Sequence, residues 1–71
     1  MNEYLSGLER MANEIARYFS AYPPEEAAAG IAEHLQKFWD PSMRRDLVDA
    51  VRSGRITVSG PVGEAITSLD G

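Results

Sequence analysis

The pair Asp40-Pro41 sets a helix-to-helix corner in the middle of this chain. A proline ring presets φ at a value that a first helical turn accepts, and its missing N–H would have gone unpaired there in any case. An aspartate just before it can accept a hydrogen bond from the free N–H groups that open the helix. One helix is therefore expected to end near Trp39 and another to begin at Pro41. The stretch from His34 to Arg45 also holds the only histidine, the only tryptophan and a pair of arginines. Such a corner packs aromatic side chains against the next helix and directs Arg44 and Arg45 outward. Phe38 is the expected core residue. Trp39 is left open between core and surface, because neighbouring helical positions lie about 100° apart and rarely face the same way.

Upstream, Leu8, Met11, Ala12, Ile15, Phe19 and Tyr22 recur every three or four positions, which predicts a helix over 3–21 with one buried stripe. Tyr22-Pro23-Pro24 ends it, since each proline disfavours the helical region for the residue before it. Glu25 and Glu26 then place negative charge where a helix N-terminus favours it, and Ala27, Ala28, Ile31, Leu35 and Phe38 form the inner stripe of a helix over 25–39. Gly30 within that helix costs about 1 kcal/mol relative to alanine, so its expected use is to let another backbone approach closely.

Met43, Leu47, Val48, Ala50 and Val51 mark a third helix over 41–53, closed at Ser53-Gly54, where glycine can take the left-handed cap conformation. Ile56-Thr57-Val58 is rich in β-branched residues, but Gly60-Pro61 follows at once. An extended connector is expected there rather than a paired strand, with an edge that a partner's sheet could use. Val62, Ala65, Ile66 and Leu69 predict a short helix over 61–69, capped by Ser59 or Gly60 and dependent on tertiary support. The expected fold class is all-α, a small bundle of three main helices plus a short C-terminal helix, forming a single domain over 1–71.

A chain of 71 residues buries about 60% of its unfolded surface and is expected to be stable by roughly 4–10 kcal/mol, which argues against a deep cofactor pocket. With no cysteine it has no disulfide, thiolate metal site or cysteine nucleophile. Glu3, Glu9, Arg10, Glu14 and Arg17 interrupt any signal-peptide core, and no apolar run approaches membrane-spanning length, so a soluble cytoplasmic protein is expected. The formal charge of −4 repels phosphate backbones and argues against nucleic-acid binding. Cations are unevenly placed: Arg44, Arg45, Arg52 and Arg55 cluster with Asp46 and Asp49 interleaved. That is either a solvated helix face laced by weak ion pairs such as Asp49 with Arg45 or Arg52, or an arginine surface suited to carboxylates at an interface.

Catalytic sets are thin. His34 could be joined only by carboxylates such as Glu33 or Asp40 in a metal site, and by Ser42 or Ser59 in a nucleophile-base arrangement. The glycines at 7, 30, 54, 60, 63 and 71 form no phosphate-cradling run. Tyr4, Tyr18 and Tyr22 with Phe19 could form an aromatic binding face, although Phe19 and Tyr22 also fit the core stripe. His34 is either a packed structural histidine or an interface residue offering donors to a partner.

The order of residues adds to this reading. Met11-Ala12-Asn13-Glu14-Ile15-Ala16-Arg17-Tyr18-Phe19, then Tyr22-Pro23, Gly30-Ile31-Ala32-Glu33-His34-Leu35 and Lys37-Phe38-Trp39-Asp40-Pro41-Ser42-Met43-Arg44 together resemble the small delta subunit of cytoplasmic NAD-dependent, molybdenum-containing formate dehydrogenases. The resemblance covers roughly residues 8 to 69 and is most specific from His34 to Arg44. It implies a non-catalytic accessory subunit that docks on the large catalytic subunit and supports assembly, cofactor insertion or stability. Its partners would carry a molybdenum or tungsten pterin cofactor, iron–sulfur clusters, FMN and NAD, and this chain would carry none of them.

The partner-binding residues expected on this reading are His34, Trp39, Asp40, Arg44 and Arg45, tryptophan and arginine being enriched among residues that dominate interface energy. Two alternatives stand beside it. One is a transient assembly chaperone for the same enzyme; the other is an unrelated helical module that self-associates.

Overall fold

The computed structural model of the chain describes residues 3–70 as four helices, with no strand among them. Helix α1 runs Glu3–Tyr18, α2 Pro24–Phe38, α3 Pro41–Arg52 and α4 Gly60–Asp70. The all-α expectation holds, and each proline lies at or beside a helix start. Pro24 and Pro41 open α2 and α3, and Pro61 follows the first residue of α4.

Helix α1 stops three residues short of the expected Ala21. Its last bonds tighten to three-residue spacing, with Ser20 N–H donating to Arg17 O at 3.2 Å and Tyr22 N–H to Phe19 O at 3.1 Å. That tightening turns the chain ahead of Pro23 and sends the Phe19 ring towards α2. A β-carbon on Gly30 would lie 2.5 Å from Phe19 Cε1, so the glycine admits an aromatic ring. This corrects the expected backbone approach. Tyr22, also expected in the core stripe, is 51% exposed, because it lies beyond the helix whose period placed it there.

At the end of α2 the adjacent aromatics exchange their expected roles. Phe38 is 72% exposed, while Trp39 is 8% exposed and packs in the core. The buried positions of α2 are Ala27, Ile31 and Leu35, four apart, and Trp39 is the next in that row. Trp39 leaves the helical region at φ −101°, ψ 141°, with its N–H still donating to Leu35 O at 3.1 Å.

Asp40 stands at the N-cap position of α3 in extended conformation, but its side chain makes no cap hydrogen bond. This corrects the role expected for its carboxylate. The proline alone supplies the start of α3. At the other end Gly54 has φ 76°, its N–H donates to Val51 O at 3.1 Å, and Arg55 N–H donates to Ala50 O at 2.9 Å. These two crossed bonds form a Schellman closure, which needs a residue free to adopt positive φ.

The core gathers Leu8, Ile31, Leu35, Leu47 and Val62, all essentially sealed from solvent, from all four helices. The α2–α4 pair is the most extensively packed, and the buried Ala27 and Ala65 leave little bulk between them. Residues 55–59 cross back over α1 as an extended connector with Ile56 buried. Its backbone is paired with side chains of α1. Glu9 Oε2 accepts from Thr57 N–H at 2.7 Å, Asn13 Oδ1 accepts from Ser59 N–H at 3.0 Å, and Asn13 Nδ2 donates to Thr57 O at 3.3 Å. Two residues four apart on a helix thereby stand in for a neighbouring strand, and the edge expected to be free for a partner's sheet is occupied from within the chain.

Candidate docking surface

The α2–α3 corner is held from inside by Arg44. One guanidinium nitrogen, Nη1, donates to Trp39 O at 2.6 Å and lies 3.3 Å from both Leu35 O and Gln36 O. These carbonyls lie at the C-terminal end of α2, where Leu35 O already accepts from Trp39 N–H and the other two lie beyond the last intrahelical donor, so a cation is favoured there both as donor and by the helix dipole. The expected outward direction of Arg44 is therefore corrected. It lies one turn into α3, and the Asp40-Pro41 corner turns that position back onto the end of α2. Arg45, next in sequence, is exposed, as is Asp40.

His34 is half-buried on α2, its ring 4.8 Å from that of Phe38, one turn further on. Glu33, a candidate metal partner for it, is drawn to Lys37, with Oε2 3.8 Å from Nζ. Among the described residues no three His, Asp or Glu side chains converge on a point where a metal ion could be held.

Between α1 and α2 runs an open groove of about 550 Å³. One wall is Met11, Ile15 and Tyr18, at i, i+4 and i+7 on α1, and the opposite wall is His34. Trp39 forms part of the lining, Phe19 closes one end, and Glu14 is the single carboxylate on the rim. The ring of Phe19 meets Tyr18 edge-on at 5.0 Å and Tyr22 at 5.6 Å, giving a connected aromatic cluster at the α1–α2 turn. Tyr18 in the lining is 76% exposed, and Phe38, in contact with the His34 ring, is 72% exposed, so both leave aromatic surface in water. Isolated exposed apolar residues are ordinary, but two exposed aromatic groups beside one apolar groove mark a contact surface.

The structure thus brings two of the five expected partner-binding residues, His34 and Trp39, to one groove. It turns Arg44 inward and leaves Asp40 and Arg45 on the neighbouring corner. Sequence reasoning puts Phe38 in the core and not at a binding surface, and brings in Tyr18 only within a wider aromatic face with Tyr4, Tyr22 and Phe19, not as part of this groove. The available signal was the i+7 spacing from Met11 to Tyr18, which extends a second apolar row beside the fully buried Leu8, Ala12 and Ala16.

Towards the N-terminal end of α1, Tyr4 tethers the helix to α3 through a hydroxyl that donates to Asp46 Oδ2 at 2.8 Å. That bond raises the pKa of the Tyr4 hydroxyl above its ordinary value, with burial and the charges of Asp46 and Asp40 acting in the same direction.

These features define a small all-α bundle with an aromatic groove beside a cation-braced corner. A family model described as "NADH-dependant formate dehydrogenase delta subunit FdsD" matches residues 8–66. The chain belongs to this family, the delta subunits of NAD-dependent formate dehydrogenase. No curated protein and no solved structure matches it.

Proposed function

We propose that this chain is a non-catalytic subunit of a cytoplasmic formate dehydrogenase, docking on the large molybdopterin subunit to support assembly, cofactor insertion or stability. The observation that carries the reading is the family match across residues 8–66, and the exposed Tyr18 and Phe38 give it a physical counterpart. Aromatic side chains contribute large contact area on burial and are enriched where partner subunits meet. The α2–α3 corner completes the surface. Asp40 and Arg45 are accessible there, His34 flanks them, and Trp39 and Arg44 hold the corner in shape from behind.

The residues of this chain do not fit the iron–sulfur clusters of such an enzyme. Iron–sulfur clusters are held chiefly by cysteine thiolates, and the sequence contains none. On this reading the molybdenum or tungsten pterin, FMN and NAD, like the clusters, belong to other subunits.

The test is affinity purification of tagged protein from its native host, with mass spectrometry and a formate-dependent NAD reduction assay of the eluate. A stoichiometric, active dehydrogenase is the expected result. Recovery of cofactor-free large subunit alone would instead make the chain an assembly chaperone, and recovery of only its own copies would make it a self-associating module.

A further inference from the structure

We infer that the groove between α1 and α2 receives an amphipathic helix of the large subunit, one that carries a lysine or arginine to meet Glu14. This deepens the docking reading above and rests on it. Helix α1 bears two apolar rows. Leu8, Ala12 and Ala16 are buried by the bundle, whereas Met11 and Ile15 are only partly covered and Tyr18 is exposed. The uncovered row runs along the helix axis and faces His34 on α2, whose ring meets that of exposed Phe38 at 4.8 Å in a tilted pair. A lengthwise trough with side-chain walls matches the helix-in-groove mode, in which a ligand helix inserts anchors at i, i+3, i+4 and i+7.

An extended peptide has nothing to pair with here. The walls are helices whose backbone groups bond within each helix, the described residues contain no strand, and the one extended segment, 55–59, is already held by Glu9 and Asn13. Charge then selects among helices. Glu14 is the groove's only carboxylate, no lysine or arginine lines it, and among the described residues the Glu14 side chain has neither hydrogen bond nor ion pair. A partner that covers it without a cation leaves a carboxylate desolvated and unmatched, which is strongly unfavourable. A second copy of this chain seated face to face would bring two such carboxylates together with no cation in the lining, so the hetero-partner is favoured over self-association.

The test uses the assembled dehydrogenase in the native host. Benzoyl-phenylalanine is placed at position 18 or 38, with position 68 on the exposed side of α4 as the control, and cross-linked peptides are identified after irradiation. Positions 18 and 38 should join to one segment of the large subunit with apolar residues at helical spacing and a lysine or arginine among them; position 68 should not. Glu14→Lys should weaken co-purification tenfold or more, and Glu14→Gln by less. If the complex co-purifies but positions 18 and 38 join to a second copy, to a segment without a cation, or to nothing, the groove assignment falls and the docking reading survives. Failure of the unmodified chain to co-purify with the dehydrogenase overturns both.

Discussion

Arg44 shows how a side chain on the surface of one helix can close another. Arg44→Ala should cost about 1–2 kcal/mol, since carbonyls of Leu35, Gln36 and Trp39 lose a charged donor at a partly buried site. Urea titration checks this, and the loss should appear as a lower midpoint with an unchanged slope. Gly30→Ala sets two effects against each other. Helix propensity favours alanine by about 1 kcal/mol, while a β-carbon 2.5 Å from the Phe19 ring forces a shift that typically costs about 1–3 kcal/mol, so net destabilisation is expected. In a Phe19→Leu background the penalty should shrink, which thermal unfolding of the four combinations measures. Periodicity read the corner residues only in part. It required that Phe38 and Trp39 differ in burial, and the four-residue row of Ala27, Ile31 and Leu35 continues at Trp39, whereas the i+3 alternative placed Phe38 inward.

The helices themselves were legible, because proline and glycine punctuate this chain at nearly every boundary and apolar spacing labels what lies between. The connector was less so. Its extended form followed from Ile56-Thr57-Val58, but the groups that satisfy its backbone come from Glu9 and Asn13, far away in sequence, and nothing local signals them. Asn13→Ala removes an acceptor for Ser59 N–H and a donor for Thr57 O, and should destabilise the fold by about 1 kcal/mol. Hydrogen exchange gives the sharper readout. The Ser59 amide should lose protection in Asn13→Ala and the Thr57 amide in Glu9→Ala, while amides in the middle of α2 keep theirs relative to the global unfolding limit.

At the scale of the molecule, a radius of gyration of 11.0 Å, close to the roughly 11 Å expected for a compact chain of this length, leaves little interior to spare. Ties between distant helices therefore count. The Tyr4 hydroxyl has its pKa raised in the folded state, so its contribution is complete below the unfolded tyrosine value of about 10 and is lost as pH rises through the higher folded value. Wild-type protein should lose more stability than Tyr4→Phe between neutral pH and strongly alkaline pH, as followed by urea midpoints across that range. Equal losses would show that the tether between α1 and α3 carries no linkage.

The clamp on residues 55–59 also governs the order in which the bundle can be completed. Glu9 and Asn13 must hold a backbone that enters the fold some 46 residues later, so closure spans most of the chain. Bridging such a separation slows folding, because the entropy of the loop is lost before the contact returns anything. During synthesis α1 leaves the ribosome well before the segment it will grip. Until the later helices and that segment arrive, the row formed by Leu8, Ala12 and Ala16 is incompletely covered, and the nascent chain offers other proteins a broader apolar helix than the finished molecule does.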